Sequence, residues 1–121
     1  VDPARRLVEV VKRTVLAHVN SDEPCPRNLS QCIEEAAGRD YRSVSRIFSA
    51  TEGRTIEKYY IAAKIEKAKE LLSYGESPTE IAYRLGYSTP AFLSRQFKQE
   101  TGMTPSAYTA SRRQRTPLSD I

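Results

Sequence analysis

Residues 45–59 read SRIFSATEGRTIEKY, and residues 94–108 read SRQFKQETGMTPSAY. At a constant offset of 49, Ser45, Arg46, Phe48, Gly53, Thr55 and Tyr59 recur as Ser94, Arg95, Phe97, Gly102, Thr104 and Tyr108, six identities in 15 positions, and Val44 meets Leu93. Internal repetition of this kind marks a unit built twice in one chain. Upstream of each copy lies a short apolar-periodic segment ending in glycine, Leu29 to Gly38 and Ile81 to Gly86, with the glycines 48 apart. One intervening turn is therefore a residue longer than the other.

Helix punctuation divides the rest. Ser77-Pro78-Thr79-Glu80 combines an N-cap, a proline at the first helical position and a Glu placed for a capping box. Gly86 ends that helix, Thr89-Pro90 opens the next, Gly102 closes it, and Thr104-Pro105 starts a last short one. In the first copy Asn28 caps Leu29 onward, Gly38 stops that helix, Asp40 caps the next and Gly53 closes it. Leu7, Val8, Val11, Val15 and Val19 form an additional amphipathic helix, although so many valines would also suit a strand. Ile56 to Tyr74 holds neither Gly nor Pro and is rich in Ala, Glu, Lys and Leu, which predicts one helix of about 27 Å. Ile56, Tyr59 and Ala63 fall on one side of it, and Ile61, Ile65, Ala68 and Leu72 nearly opposite, so its halves serve different units.

The expected fold is all-α, about seven helices in two helix-turn-helix lobes joined by a long linker helix. The boundaries are an N-terminal helix and loop (1–27), a first unit (28–55), the linker (56–76), a second unit with its closing helix (77–112) and a basic tail (113–121).

The chain has 121 residues, 39% of them hydrophobic and 28% charged, which fits one compact domain or two small lobes and excludes most multidomain enzymes. No apolar run approaches the roughly 20 residues that span a bilayer. Nineteen Lys and Arg against 15 Asp and Glu give +4, a mild bias toward polyanions, and three of that excess fall in residues 77–121, which include Arg112, Arg113 and Arg115. Cys25, Cys32 and the lone His18 compose no four-ligand metal set, and no cofactor is expected. Both cysteines read as reduced thiols of a cytosolic protein, Cys32 as a small buried hydrophobe and Cys25 as a loop residue. No nucleophilic triad, P-loop or dinucleotide fingerprint occurs, so the reading is not an enzyme. The start at Val1, without an initiating Met, suggests a piece of a longer protein.

Helix-turn-helix units present their second helix to a DNA major groove, about 12 Å wide. In the first unit Val44, Ile47 and Phe48 face the core, which turns Arg42, Arg46 and Ser49 outward with Ser45 on the flank. In the second, Leu93 and Phe97 point in, Phe92 borders the core, and Ala91, Arg95 and Lys98 turn outward beside Ser94, with Thr89 and Pro90 at the start. Arg46 and Arg95 occupy equivalent positions, where a guanidinium fork suits guanine O6 and N7 or a phosphate. Alternatively they pair with nearby carboxylates such as Glu52 and Glu100. Lys98 and the arginine tail read as nonspecific electrostatics, Tyr59 and Tyr108 as packing, and His18 as a surface or packing residue.

The stretch from about Asn28 to Arg112, above all IEKAKELL at 65–72, IAYRLGY at 81–87 and FKQETGMTP at 97–105, resembles the DNA-binding domain of the AraC/XylS transcription regulators. The resemblance implies double-stranded DNA as partner, two recognition helices in successive major grooves, contact with RNA polymerase, a cytoplasmic, nucleoid-associated location and, in many members, a separate sensor domain. By motif it carries base contact onto Arg42, Ser45 and Arg46, and onto Pro90, Ala91, Ser94 and Arg95. Pro90 and Ala91 donate no side-chain hydrogen bond, which leaves Ser94, Arg95 and apolar contact with thymine methyls. Arg39 stands where an aromatic commonly follows the glycine, and Glu34 where the family often has alanine. The rival reading is a helical protein-interaction module that contacts polymerase or a partner subunit without reading DNA.

Overall fold

The computed structural model describes residues 2–21 and 28–119, those beyond Arg112 by backbone alone. Cys25 and the side chains of Arg113 and Arg115 lie outside the described residues. Seven helices and no strand occur among those described. The chain divides into two compact units, 1–64 and 65–121, and the division falls inside one helix.

In the first unit, α1 (Pro3–Asn20) starts where Asp2 accepts the Ala4 N–H, with Pro3 in the first turn where a missing N–H costs nothing. Val8, Val11, Val15 and Val19 recur every three to four residues and are buried, so the stripe forms a helix despite its valines. Burial outweighs their weak helix propensity, a difference of only tenths of a kcal/mol per residue. α2 (Leu29–Ala37) opens with a reciprocated capping box: Asn28 accepts the Gln31 N–H, and Gln31 Oε1 accepts the Asn28 N–H. It closes on Gly38 at φ 69°, the left-handed region that a side chain disfavours. α3 (Tyr41–Glu52) follows, and α1 packs against both α2 and α3. Ile33, Val44, Phe48 and Ile56 complete this core, each fully buried. Cys32 is half-buried, less enclosed than its sequence suggests, because Ile33 takes the inward position beside it.

α4 (Ile56–Ser73) is unbroken through the unit division and ends one residue earlier than expected, with Tyr74 in the turn. The stop comes from a paired arrangement in which the Gly75 N–H reaches Leu72 O and the Glu76 N–H reaches Leu71 O. In the second unit α5 (Pro78–Arg84) is capped by Ser77, which accepts the Glu80 N–H, and α6 (Pro90–Thr101) packs against both α5 and α7 (Pro105–Ser119). Ile65, Ala68, Leu71, Leu72, Ile81, Ala82, Leu85, Tyr87, Leu93 and Phe97 are buried here. The last helix is longer than expected, its backbone continuing over most of the segment read as a tail. Phe92 also departs from expectation: it is 48% exposed, and its ring leans on Tyr87 with centroids 5.7 Å apart.

His18 is a packing residue. Its ring meets Tyr60 edge-on at 5.9 Å, Lys64 Nζ lies 4.4 Å from the Tyr60 centroid, and the buried Nδ1 has no hydrogen-bond partner. Burial first, and the Lys64 charge second, hold the imidazole below its ordinary value of 6.5. The unfolded chain therefore binds the proton more readily, so this contribution to stability is complete above 6.5 and is lost as the pH falls through the folded value. Thermal melts should show the protein losing stability as the pH falls below about 6.5, and His18→Gln should flatten that slope, since no other histidine is present.

Candidate nucleic-acid interface

The two units build their second helices the same way, and that construction decides which side chains face out. Asp40 accepts the Ser43 N–H at the start of α3, and Thr89 accepts the Phe92 N–H at the start of α6. Each helix ends on a left-handed glycine, Gly53 at φ 78° bonding Ser49 O and Gly102 at φ 83° bonding Lys98 O. Next, Thr55 and Thr104 cap the following helices at Lys58 and Ala107. Within each unit the buried phenylalanine meets the recurring tyrosine edge-to-face, Phe48 with Tyr59 at 6.0 Å and Phe97 with Tyr108 at 5.6 Å. Both tyrosines are thus packing residues.

With Val44 and Phe48 pinned inward, Arg42 and Arg46 are exposed on α3, and Ser45 and Ser49 are half-buried at its flank. With Leu93 and Phe97 pinned inward, Ala91, Arg95 and Lys98 are exposed on α6, Ser94 is half-buried, and Thr89 and Pro90 lie exposed at its first turn. Each unit gathers its sequence-derived residues onto one helix. Two equivalent pairs match in exposure, Arg46 with Arg95 and Ser45 with Ser94.

Carboxylate pairing of the two arginines does not occur among the described residues. Glu52 instead holds Lys12 of α1, which lowers the Glu52 carboxyl below its ordinary range. Asp40 is likewise lowered, first by the Ser43 backbone N–H and then by its hydroxyl, with Arg42 contributing. Among the described residues, Arg46 and Arg95 thus have no carboxylate within ion-pair distance.

Four side chains around these helices escape a reading by periodicity. Tyr87 donates its hydroxyl to Gln96, tying the turn to α6. Arg54 stacks over Tyr59 at 4.9 Å, and Arg112 lies over Tyr108 at 5.8 Å. Glu34 Oε2 accepts the Tyr41 N–H at 2.8 Å, from one helix to the next. Its only signal in sequence is the departure from alanine at that position.

The family model described as a helix-turn-helix domain matches residues 33–111, more than half of the chain. The chain belongs to the AraC-type helix-turn-helix family. The family is one of DNA-binding transcription regulators. Among curated proteins, the chain is similar to the transcriptional regulator RipA of Corynebacterium diphtheriae, 32% identical over 71 residues, covering 59% of this chain and 21% of that protein. The chain therefore spans about a fifth of that relative's length. Among solved structures, an AraC-type DNA-binding domain-containing regulator from Chromobacterium violaceum superposes with TM-score 0.76 at 23% identity, over 89% of this chain and 93% of that one. The DNA-binding domain of AdpA, solved with a target DNA, gives TM-score 0.70 at 24% identity over 97% and 98%. These likenesses establish the shared AraC-type fold.

Among the described residues no group of His, Cys, Asp and Glu could hold a metal ion, and no helix is long and apolar enough to cross a membrane. The Thr89 cap supports the first turn of the α6 face. Thr89→Ala should cost about 1 kcal/mol of stability in urea denaturation.

Proposed function

We propose that this domain binds double-stranded DNA sequence-specifically, with α3 and α6 each laid in a major groove. Exposed arginines with no carboxylate partner among the described residues, Arg46 and Arg95, at the same place on a duplicated unit carry the reading. A guanidinium fork suits guanine O6 and N7, so each helix has one strong reader. Arg42 extends the α3 face, Ser45, Ser49 and Ser94 sit within reach of base edges or phosphates, and Lys98 adds phosphate attraction. Thr89, Pro90 and Ala91 form the leading edge of α6, where Pro90 and Ala91 suit apolar contact with thymine methyls.

Duplication in one chain supports a bipartite operator whose half-sites lie about one helical turn apart, near 34 Å, in successive major grooves. Such a domain acts in a bacterial-type regulator of transcription that works at the nucleoid. Contact with RNA polymerase and a separate sensor domain rest on the family resemblance alone. A protein-interaction module remains the rival, favoured by Tyr83, 76% exposed on α5.

Affinity for a random duplex measured across salt separates the two. Neutralised phosphates release counterions, so the DNA reading expects a steep fall in affinity from about 50 to about 200 mM salt, and a flat response favours the interaction module. Arg95→Ala should cost about 1–3 kcal/mol at an operator selected from a random oligonucleotide pool. Equal loss on every sequence would make Arg95 a phosphate contact.

A further inference from the structure

The two units differ sharply at one corner, the entry to the second helix. In the first unit the Tyr41 N–H, a donor with no partner inside its own helix, is bonded by Glu34 of α2 at 2.8 Å. Tyr41 Oη donates in turn to Glu57 of α4 at 2.6 Å, and burial with this bond raises the phenol far above its ordinary value, so it stays a donor. A polar chain thus joins α2, α3 and α4 through one residue that immediately precedes Arg42. In the second unit the corresponding positions, offset by 48 before the turn and 49 after it, are Ala82, Pro90 and Ser106. Pro90 has no N–H to satisfy, and Ala82 is buried and has no side-chain acceptor. Donor and acceptor are present together in one unit and missing together in the other.

We propose that Glu34 is a positioning residue for the first recognition helix: by holding the Tyr41 amide it sets the pitch at which Arg42 and Arg46 meet the bases. The proposal rests on the DNA reading above. Reach is the critical property. A hydrogen bond to a carboxylate is strong, and a helix tilted through its first turn misplaces every side chain beyond it. Charge is secondary, because a carboxylate so near the DNA repels phosphates and adds nothing to attraction.

Three variants separate reach from charge. Glu34→Gln keeps the acceptor at the same length without the charge, Glu34→Asp keeps the charge but is one methylene short, and Glu34→Ala removes both. The probes are an operator selected from a random oligonucleotide pool, its single-base variants and a random duplex, with half-sites assigned through Arg46→Ala and Arg95→Ala. Circular dichroism and melting verify folding, and the Asp and Gln pair suffices if Ala does not fold. The expected result is about a tenfold loss of base discrimination in Glu34→Asp and Glu34→Ala, confined to the Arg46 half-site. Random-duplex affinity should be undiminished, and Glu34→Gln should discriminate like the parent. The proposal is overturned if discrimination follows charge, if it is unchanged in all variants, or if both half-sites and the random duplex weaken in parallel. A parent protein that selects no sequence from the pool overturns the DNA reading itself, before any variant is made.

Discussion

One phenylalanine under each second helix governs the whole arrangement. Phe48 and Phe97 are fully buried, each braced by the edge of the tyrosine eleven residues on. A fully buried side chain of this size contributes about 1.5–3 kcal/mol relative to exposure, and the ring pair adds about 0.5–1.5 kcal/mol. These anchors fix the rotation of α3 and α6 about their own axes, because a helix turned by even one residue would bring the aromatic ring into water. Once the rotation is fixed, the exposure of Arg46 and Arg95 follows two residues earlier on each helix.

Much of this was legible in sequence because the deciding interactions are local. An N-cap needs only a short polar side chain and a free amide three residues on, so Asn28, Asp40, Ser77 and Thr89 announce their helices. Glycines that must take positive φ mark the ends equally well. Repetition then supplied what local rules lack, since two segments with the same apolar spacing must bury the same faces. The exposed arginines and the flanking Ser45 and Ser94 follow from that argument, whereas Ser49, expected to face outward, is half-buried.

What escaped is what depends on neighbours distant along the chain. Phe92 has the character of a core residue, yet Leu93 and Phe97 already fill the inward face and Phe92 is left leaning on Tyr87. Glu52 could have paired with an arginine of its own helix, but Lys12 of α1 takes it. The Glu34 to Tyr41 bond crosses between helices, and nothing in the periodicity of either helix indicates it. Likewise His18 shows no sign in sequence of its contact with Tyr60 more than forty residues on.

The two corners that introduce α3 and α6 differ by one residue in length and differ in chemistry. At one, a chain of polar side chains ties three helices together; at the other, the corresponding positions hold Pro90 and the buried Ala82. Each unit also keeps a buried phenylalanine of its own. A duplicated helix-turn-helix built in this way can diverge one copy at a time, the entry to one second helix changing while the other unit keeps its own caps and core.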